Sequence, residues 1–342
     1  MDIQQQREHY YETLKPLHVA PLWSVLKGLV PSEPAPQARP WQWEWESIYP
    51  QLLQAGSLIS AEEAERRVLV LENPGLPGKS QITDTLYGGV QLILPGEIAP
   101  AHRHSQSALR FVLHGSGAYT AVDGEKTRMQ RGDFIITPHW TWHDHGHEGS
   151  EPVVWLDGLD VPLVSFLRAG FREEHEHKAQ TFTRLEGEAT ARFGSGLLPI
   201  NCDRDGRTSP LFSYPYHRSR EALHVLSRVE APDPHLGHCM RYVNPLNGDW
   251  AMPTIGTTLR LYPAGFSTRR YRSTDSLVLV GLEGRAEINI ENGPTLSLGP
   301  NDIAAIPGWC AWTLSAQEDT VCFGYSDRPV HEKLGLLREQ RD

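Results

Sequence analysis

Three strand-and-turn phrases occur twice in this 342-residue chain, in the same order. LPGE at Leu94–Glu97 is matched by YPAG at Tyr262–Gly265, and RFVLHGSGAYTA at Arg110–Ala121 by LVLVGLEGRAEI at Leu277–Ile288. GDFIITPHW at Gly132–Trp140 is matched by NDIAAIPGW at Asn301–Trp309. A repeated order of turns and strands, even at weak identity, means one supersecondary unit built twice. Each unit consists of short β-branched and aromatic runs separated by Gly and Pro, with tight turns such as Asp123-Gly124. That texture predicts an all-β sandwich or barrel rather than helices. The expectation is an all-β fold of two tandem barrels, and a chain of this length has room for two cores.

The remaining segments suggest the organisation: an N-terminal helical and irregular arm over 1–78, a first barrel over 79–185, a connecting segment over 186–250, a second barrel over 251–330 and a tail over 331–342. In the arm, Asp2 to Leu14 reads as one helix capped by Asp2. Ser60 with Glu63 reads as a capping box opening a helix that ends before Leu69. WQWEWESIY alternates Trp41, Trp43 and Trp45 with polar residues, which predicts an extended segment with three indoles on one face, packed against a barrel or a neighbouring subunit. From about Pro162 to Pro253 the chain is polar and Pro-rich with helical potential.

Apolar and charged fractions of 39% and 22% are those of a globular protein and exclude disorder as the main state. A formal charge of −10 argues against nucleic-acid or anionic-membrane partners. A small anionic substrate would need a local Arg cluster against that field. The opening MDIQQQREHYYETLKP lacks the apolar core of a secretory signal. Apolar runs are short strands such as Leu277–Leu282, with none of membrane-span length. Cys202, Cys239, Cys310 and Cys322 form no CxxC pair and read as free thiols of a cytoplasmic protein.

The placement of the 16 histidines carries the chemistry. His102 and His104 lie in PGEIAPAHRHSQ at the start of a predicted strand, where i and i+2 share a face. His143 follows in PHWTWHDHGH. Three imidazoles aimed at one point inside a barrel imply a transition metal rather than calcium. One HxH alone is weak; with Gly96 before it and the Gly-Asp turn and His143 after it, the pattern is specific.

At these residues the chain resembles the cupin superfamily, whose first motif runs Gly, five residues, HxH, three or four residues, Glu, six residues, Gly. Gly96, His102, His104 and Gly115 fit, while the Glu position falls at Ala108 or Leu109. The missing carboxylate points away from oxalate-degrading and storage cupins and toward a three-histidine site. The fuller string, from RRVLVLENPG through VVWLDGLDVP into the degenerate second barrel, is similar to the gentisate 1,2-dioxygenase family, which includes salicylate and 1-hydroxy-2-naphthoate dioxygenases.

That resemblance implies an enzyme binding one Fe(II) per subunit through His102, His104 and His143. With O2 as co-substrate, it would open the C1–C2 bond of a small aromatic hydroxy acid such as gentisate to give maleylpyruvate. It implies substrate contacts from Arg110, Gln91, Tyr87 and Arg66, with Arg67 an alternative to Arg66, and roles near the substrate hydroxyls for His145 and Asp157. Arg110 also follows His104 by six residues, the inward phase of an unbroken strand, and can receive a carboxylate. His139 and His147 read as surface or turn residues. The family commonly forms homotetramers, and a homotetramer is expected here.

In the second barrel the positions of His102 and His104 read as Arg269 and Tyr271, and that of His143 as near Trp312, so no metal is expected there. Competing readings are a salicylate or 1-hydroxy-2-naphthoate dioxygenase, a metal-binding bicupin without turnover, and a phosphosugar isomerase, which would want a basic cluster near the metal.

Overall fold

The computed structural model describes residues 2–203 and 206–342. Contacts divide it into Met1–Ala35 and Pro36–Asp342. In the first unit Asp2 caps the helix Ile3–Leu14 through a complete capping box with Gln5, which removes two orphan donors of its first turn. A second helix, Leu22–Leu29, follows, and Trp23 Nε1 donates to the Tyr11 hydroxyl at 3.1 Å.

The second unit contains two six-stranded and two five-stranded antiparallel sheets among the described residues. One six-stranded sheet runs Ser213–Tyr214, Phe134–Thr137, Ala108–His114, Val153–Leu159, Tyr87–Ile93, Arg67–Val70. The other repeats it strand for strand: Trp41–Trp43, Ile303–Ile306, Leu277–Glu283, Thr320–Ser326, Gly256–Tyr262, His238–Arg241. The five-stranded sheets match in the same way. Arg172–Glu174, Ile98–His104, His143–His147, Ser116–Val122, Glu125–Gln130 corresponds to Glu339–Arg341, Tyr271–Ser273, Trp312–Ala316, Ala286–Ile290, Thr295–Leu298. The turns repeat too: Gly132 and Asn301, which open the matched GDFIITP and NDIAAIP phrases, both have positive φ (85° and 67°), a conformation that Gly and Asn tolerate best.

Strand alternation sorts each six-stranded sheet into two faces. Leu109, Phe111, Leu113 and Leu156 of one sheet share a buried core with Val278, Val280, Val321 and Phe323 of the other. At its centre Phe111 stacks on Phe323 with centroids 4.1 Å apart and planes 10° off parallel. The alternate residues turn inward to separate barrels, Val112, Ile135 and Trp155 in the first and Leu277, Leu279 and Cys322 in the second. The barrels therefore stand back to back, each with its own interior.

For residues 36–78 one expectation needs correction and a second is met by a shorter element. Trp41–Trp43 is extended and pairs with Ile303–Ala305, but Trp45 opens the helix Trp45–Leu58 and stacks on Tyr49 at 4.8 Å. Asp302 starts that helix by accepting from Trp45 N at 2.9 Å. Ser60 does cap a helix, accepting from Glu63 N, but it is one turn long, Ala61–Ala64, and ends at Glu65 with φ 53°. The chain then enters the strand Arg67–Val70.

Candidate active site

The Ile98–His104 strand pairs with His143–His147, with His102 opposite His143. This brings His102, His104 and His143 together, one ligand atom from each, all within 4.8 Å of one another. Each ring is oriented by a backbone carbonyl acting on Nδ1: Pro100 O for His102 at 3.2 Å, Gln106 O for His104 at 2.9 Å and Thr141 O for His143 at 2.9 Å. A carbonyl can only accept, so Nδ1 carries the proton and each Nε2 keeps its lone pair. The Nε2 of His143 is buried without a hydrogen-bond partner, an orphan that a metal would satisfy. Burial, reinforced by Arg66 and then His104, lowers the His102 pKa to about 2. Burial and the nearby Arg110 and Arg66 lower that of His104 to about 4, and burial drives His143 well below the ordinary range. Three neutral imidazoles are the form a transition metal requires. Of the two positions where the cupin pattern would place a carboxylate, Ala108 shares the strand phase of Arg110 and Leu109 packs into the core between the barrels, and neither side chain can ligate a metal.

The neighbouring six-stranded sheet supplies the polar wall. Arg110 and Asp157 are directly opposite on adjacent strands, both nearly inaccessible. Arg110 Nη1 donates to Thr137 Oγ1, while its Nε, 3.6 Å from Asp157 Oδ1, has no hydrogen-bond partner. Asp157 Oδ1 also accepts from Trp155 Nε1 at 3.0 Å. Burial raises the Asp157 pKa to about 6, although Arg110, the Trp155 donor and Arg66 pull it down. Gln91 lies opposite Trp155, and Gly89 opposite Asp157. Gln91, Gly89 and Tyr87 thus share one strand phase and face the same side. The Tyr87 hydroxyl is held protonated by burial and the Asp157 charge. His145 is completely buried, with Nδ1 3.0 Å from Thr120 Oγ1, Nε2 unpartnered, and its ring centroid 5.3 Å from that of Trp155.

The two candidate arm arginines diverge. Arg66 Nη2 donates to Pro100 O at 2.8 Å, and its pKa is lowered to about 9 by burial and by the charge of Arg110. Arg67 points elsewhere, gripping the Glu97 carboxylate with both Nη atoms and Ile59 O with Nε. Arg66 shares the electrostatic field of Arg110, Asp157 and His102.

Across the whole length, the chain is 47% identical to gentisate 1,2 dioxygenase 1 of Aquipseudomonas alcaligenes, covering 99% of this chain and 98% of that one. This chain belongs to the gentisate 1,2-dioxygenase family. The ring-cleaving dioxygenase is also 39% identical to gentisate 1,2-dioxygenase of a Ralstonia species, over 97% of this chain and 94% of that one. Residues 89–160 match the cupin domain family. Its fold is that of salicylate 1,2-dioxygenase from Pseudoaminobacter salicylatoxidans, solved as adducts with gentisate, with a TM-score of 0.93 at 32% identity and coverage of 100% and 95% of the two chains.

Three features of this dioxygenase escaped the sequence reading. His147 is buried in a strand, not at the surface, while His139 is exposed. Thr137, Trp155 and Thr120 support Arg110, Asp157 and His145; Trp155 could have been found by strand alternation, two residues before Asp157. The third is the register of the second barrel. There Tyr271 pairs with Trp312 as His102 pairs with His143, and Ser273 pairs with Glu339 as His104 pairs with Arg172. The counterparts of His102 and His104 are therefore Tyr271 and Ser273, not Arg269 and Tyr271. A phenol, a hydroxyl and an indole replace the three imidazoles.

Proposed function

We propose that this chain is a gentisate 1,2-dioxygenase, adding both atoms of O2 to 2,5-dihydroxybenzoate and opening its C1–C2 bond to give maleylpyruvate. The observation that carries this reading is the meeting of three neutral imidazoles with a buried guanidinium inside one barrel. His102, His104 and His143 would hold one ferrous iron, which when bound supplies the electron path between ring and oxygen. Zinc would fit the same donors but has no redox chemistry. With no carboxylate at Ala108 or Leu109, coordination positions stay open for substrate and oxygen.

The remaining steps belong to the protein. Arg110 receives the substrate carboxylate, and Arg66 adds a second positive charge from the arm. Asp157 takes a proton from a ring hydroxyl, since its pKa of about 6 lets it be ionised at neutral pH yet able to hold a proton. His145, neutral and with a free Nε2, orients the hydroxyls. Gln91 and Tyr87 line the face over which the ring lies. Burial of these groups excludes water and strengthens each contact.

Homotetrameric assembly in the cytoplasm is part of the same proposal. Trp41, about half exposed on the edge strand of the second barrel, offers apolar surface to a neighbour, and the free cysteines suit a reducing compartment.

The test is anaerobic loading with Fe(II), then gentisate in air, recording near-ultraviolet absorbance and oxygen uptake. A ring-opened keto acid with one O2 consumed per gentisate is expected. Oxygen uptake with salicylate or 1-hydroxy-2-naphthoate but none with gentisate would overturn the substrate assignment.

A further inference from the structure

The second barrel has lost its imidazoles but not its interior. A cavity of about 220 Å³ lies there, bordered by Thr258, Arg260, Tyr271, Leu277, Ile306 and Trp312. Strand pairing puts it where the first barrel has its site. Tyr271 and Trp312 occupy the positions of His102 and His143. Arg260, opposite Cys322, occupies that of Gln91, opposite Trp155. The duplication has thus kept the pocket, removed the metal ligands and introduced a cation.

Arg260 is 7% exposed. Its Nε donates to Thr258 Oγ1 at 3.3 Å, its Nη1 is buried with no acceptor, and among the described residues no carboxylate forms an ion pair with it. Two residues along the same strand face, the fully buried Tyr262 hydroxyl lies beside this guanidinium and interacts with it, a neutral neighbour rather than a counter-ion. Arg328, on the same cavity wall, is the opposite case, with ion pairs to Glu332, Glu339 and Asp275. A buried guanidinium without a counter-ion is costly, whereas one that receives a carboxylate gains charge-assisted hydrogen bonds. Part of the remaining wall is flat and apolar, where the rings of Tyr271 and Trp312 meet edge to face at 5.9 Å and 86° beside Leu277 and Ile306, while Ser273, Asp275 and Ser326 add polar groups to the lining. The volume is below the roughly 300–1,000 Å³ of pockets for drug-sized ligands, which suits a single ring.

We propose that the second barrel is a metal-free binding site for a small aromatic monocarboxylate, with Arg260 receiving the carboxylate and Tyr271 and Trp312 flanking the ring. The buried Arg260 guanidinium, unlike the exposed Arg241 at the same cavity, calls for one negative charge, and the lack of metal ligands means that the ligand is bound and not cleaved. The shared core containing Phe111 and Phe323 separates this cavity from the three histidines, so the inference stands apart from the substrate chosen for the first barrel.

Calorimetric titration of the iron-loaded enzyme with benzoate under argon tests it, using wild type, Arg260→Gln and Arg110→Met. Gln copies the first barrel's residue and removes the charge. The expected result is one equivalent of benzoate per chain that persists in Arg110→Met and weakens roughly tenfold or more in Arg260→Gln, the loss that follows from removing a charged hydrogen bond. In Arg110→Met that equivalent should quench tryptophan fluorescence, and Trp312→Phe should remove the quench, which keeps the test decisive if Arg260→Gln fails to fold. Absence of any equivalent that survives Arg110→Met overturns the proposal, as does one that survives in folded Arg260→Gln with unchanged affinity.

Discussion

Asp157 and Arg110 form a pair whose two members set each other's charge. Burial alone would keep Asp157 protonated well into the neutral range, and Arg110 holds its pKa down to about 6. If the carboxylate is the working form, kcat/KM should fall as pH drops through about 6, because protonation removes the proton acceptor. Asp157→Asn should abolish that acid limb along with most turnover. Arg110→Met should do something different: the limb moves to higher pH, because the neighbouring cation no longer favours the carboxylate, and KM rises roughly tenfold or more as the substrate loses a charged hydrogen-bond partner. An acid limb that stays in place in Arg110→Met would show that another group titrates. The histidines give a simpler expectation. His104→Ala leaves two of three donors, so metal content measured by atomic emission should drop sharply and ring cleavage with it; full iron content and turnover in this variant would remove His104 from the site.

At the scale of strands, the pairing of Tyr87–Ile93 with Val153–Leu159 governs how much room the ring has. A Cβ on Gly89 would lie 2.6 Å from the Tyr87 hydroxyl and 2.6 Å from Val68 Cγ1. Gly89→Ala should therefore push Tyr87 into the pocket, raising KM for gentisate and altering the ranking of ring-substituted substrates while iron content stays near normal. An unchanged substrate profile would separate Tyr87 from specificity. This strand also shows what was legible in the sequence. Period-two alternation places His102 with His104 without any structural knowledge, because a strand face is a local property. Arg110 could not be counted the same way: the strand ends at His104, and Arg110 lies on the separate strand Ala108–His114 of the neighbouring sheet, so the unbroken strand expected from the sequence is not there and it is the pairing with Asp157 that fixes its place. Trp45 defeated the same rule: its alternation with Trp41 and Trp43 reads as strand, but Asp302, far along the chain, accepts from its backbone N–H and starts a helix there. The second-barrel register was misread for a related reason. The register shifts between Ala99 and His102 in the first barrel, and such irregularities carry no sequence mark that can be counted across to the second. Arg66 and Arg67 could not be separated by motif, since the choice depends on Glu97 capturing one of them.

The whole molecule is organised by one core that both barrels use. Leu109, Phe111 and Leu156 have no partner within the first barrel's interior; they are buried by the back of the second. The second barrel therefore supports the metal site mechanically although it carries no metal ligand, through Tyr325 as well as Phe323: the Tyr325 hydroxyl donates to Tyr87 O at 3.3 Å. A shared core makes the two barrels one cooperative unit, so unfolding should be a single transition, with circular dichroism and the loss of bound iron coinciding. Phe323→Ala would leave a cavity against Phe111 and should cost about 3–5 kcal/mol, shifting both signals together to lower denaturant. If the second barrel instead melted first while iron stayed bound, the barrels would be independent folding units and the Phe111–Phe323 stack would be a docking contact. The distinction matters for the benzoate site as well, since a ligand held by Arg260 can stabilise the iron centre only through a core that unfolds as one.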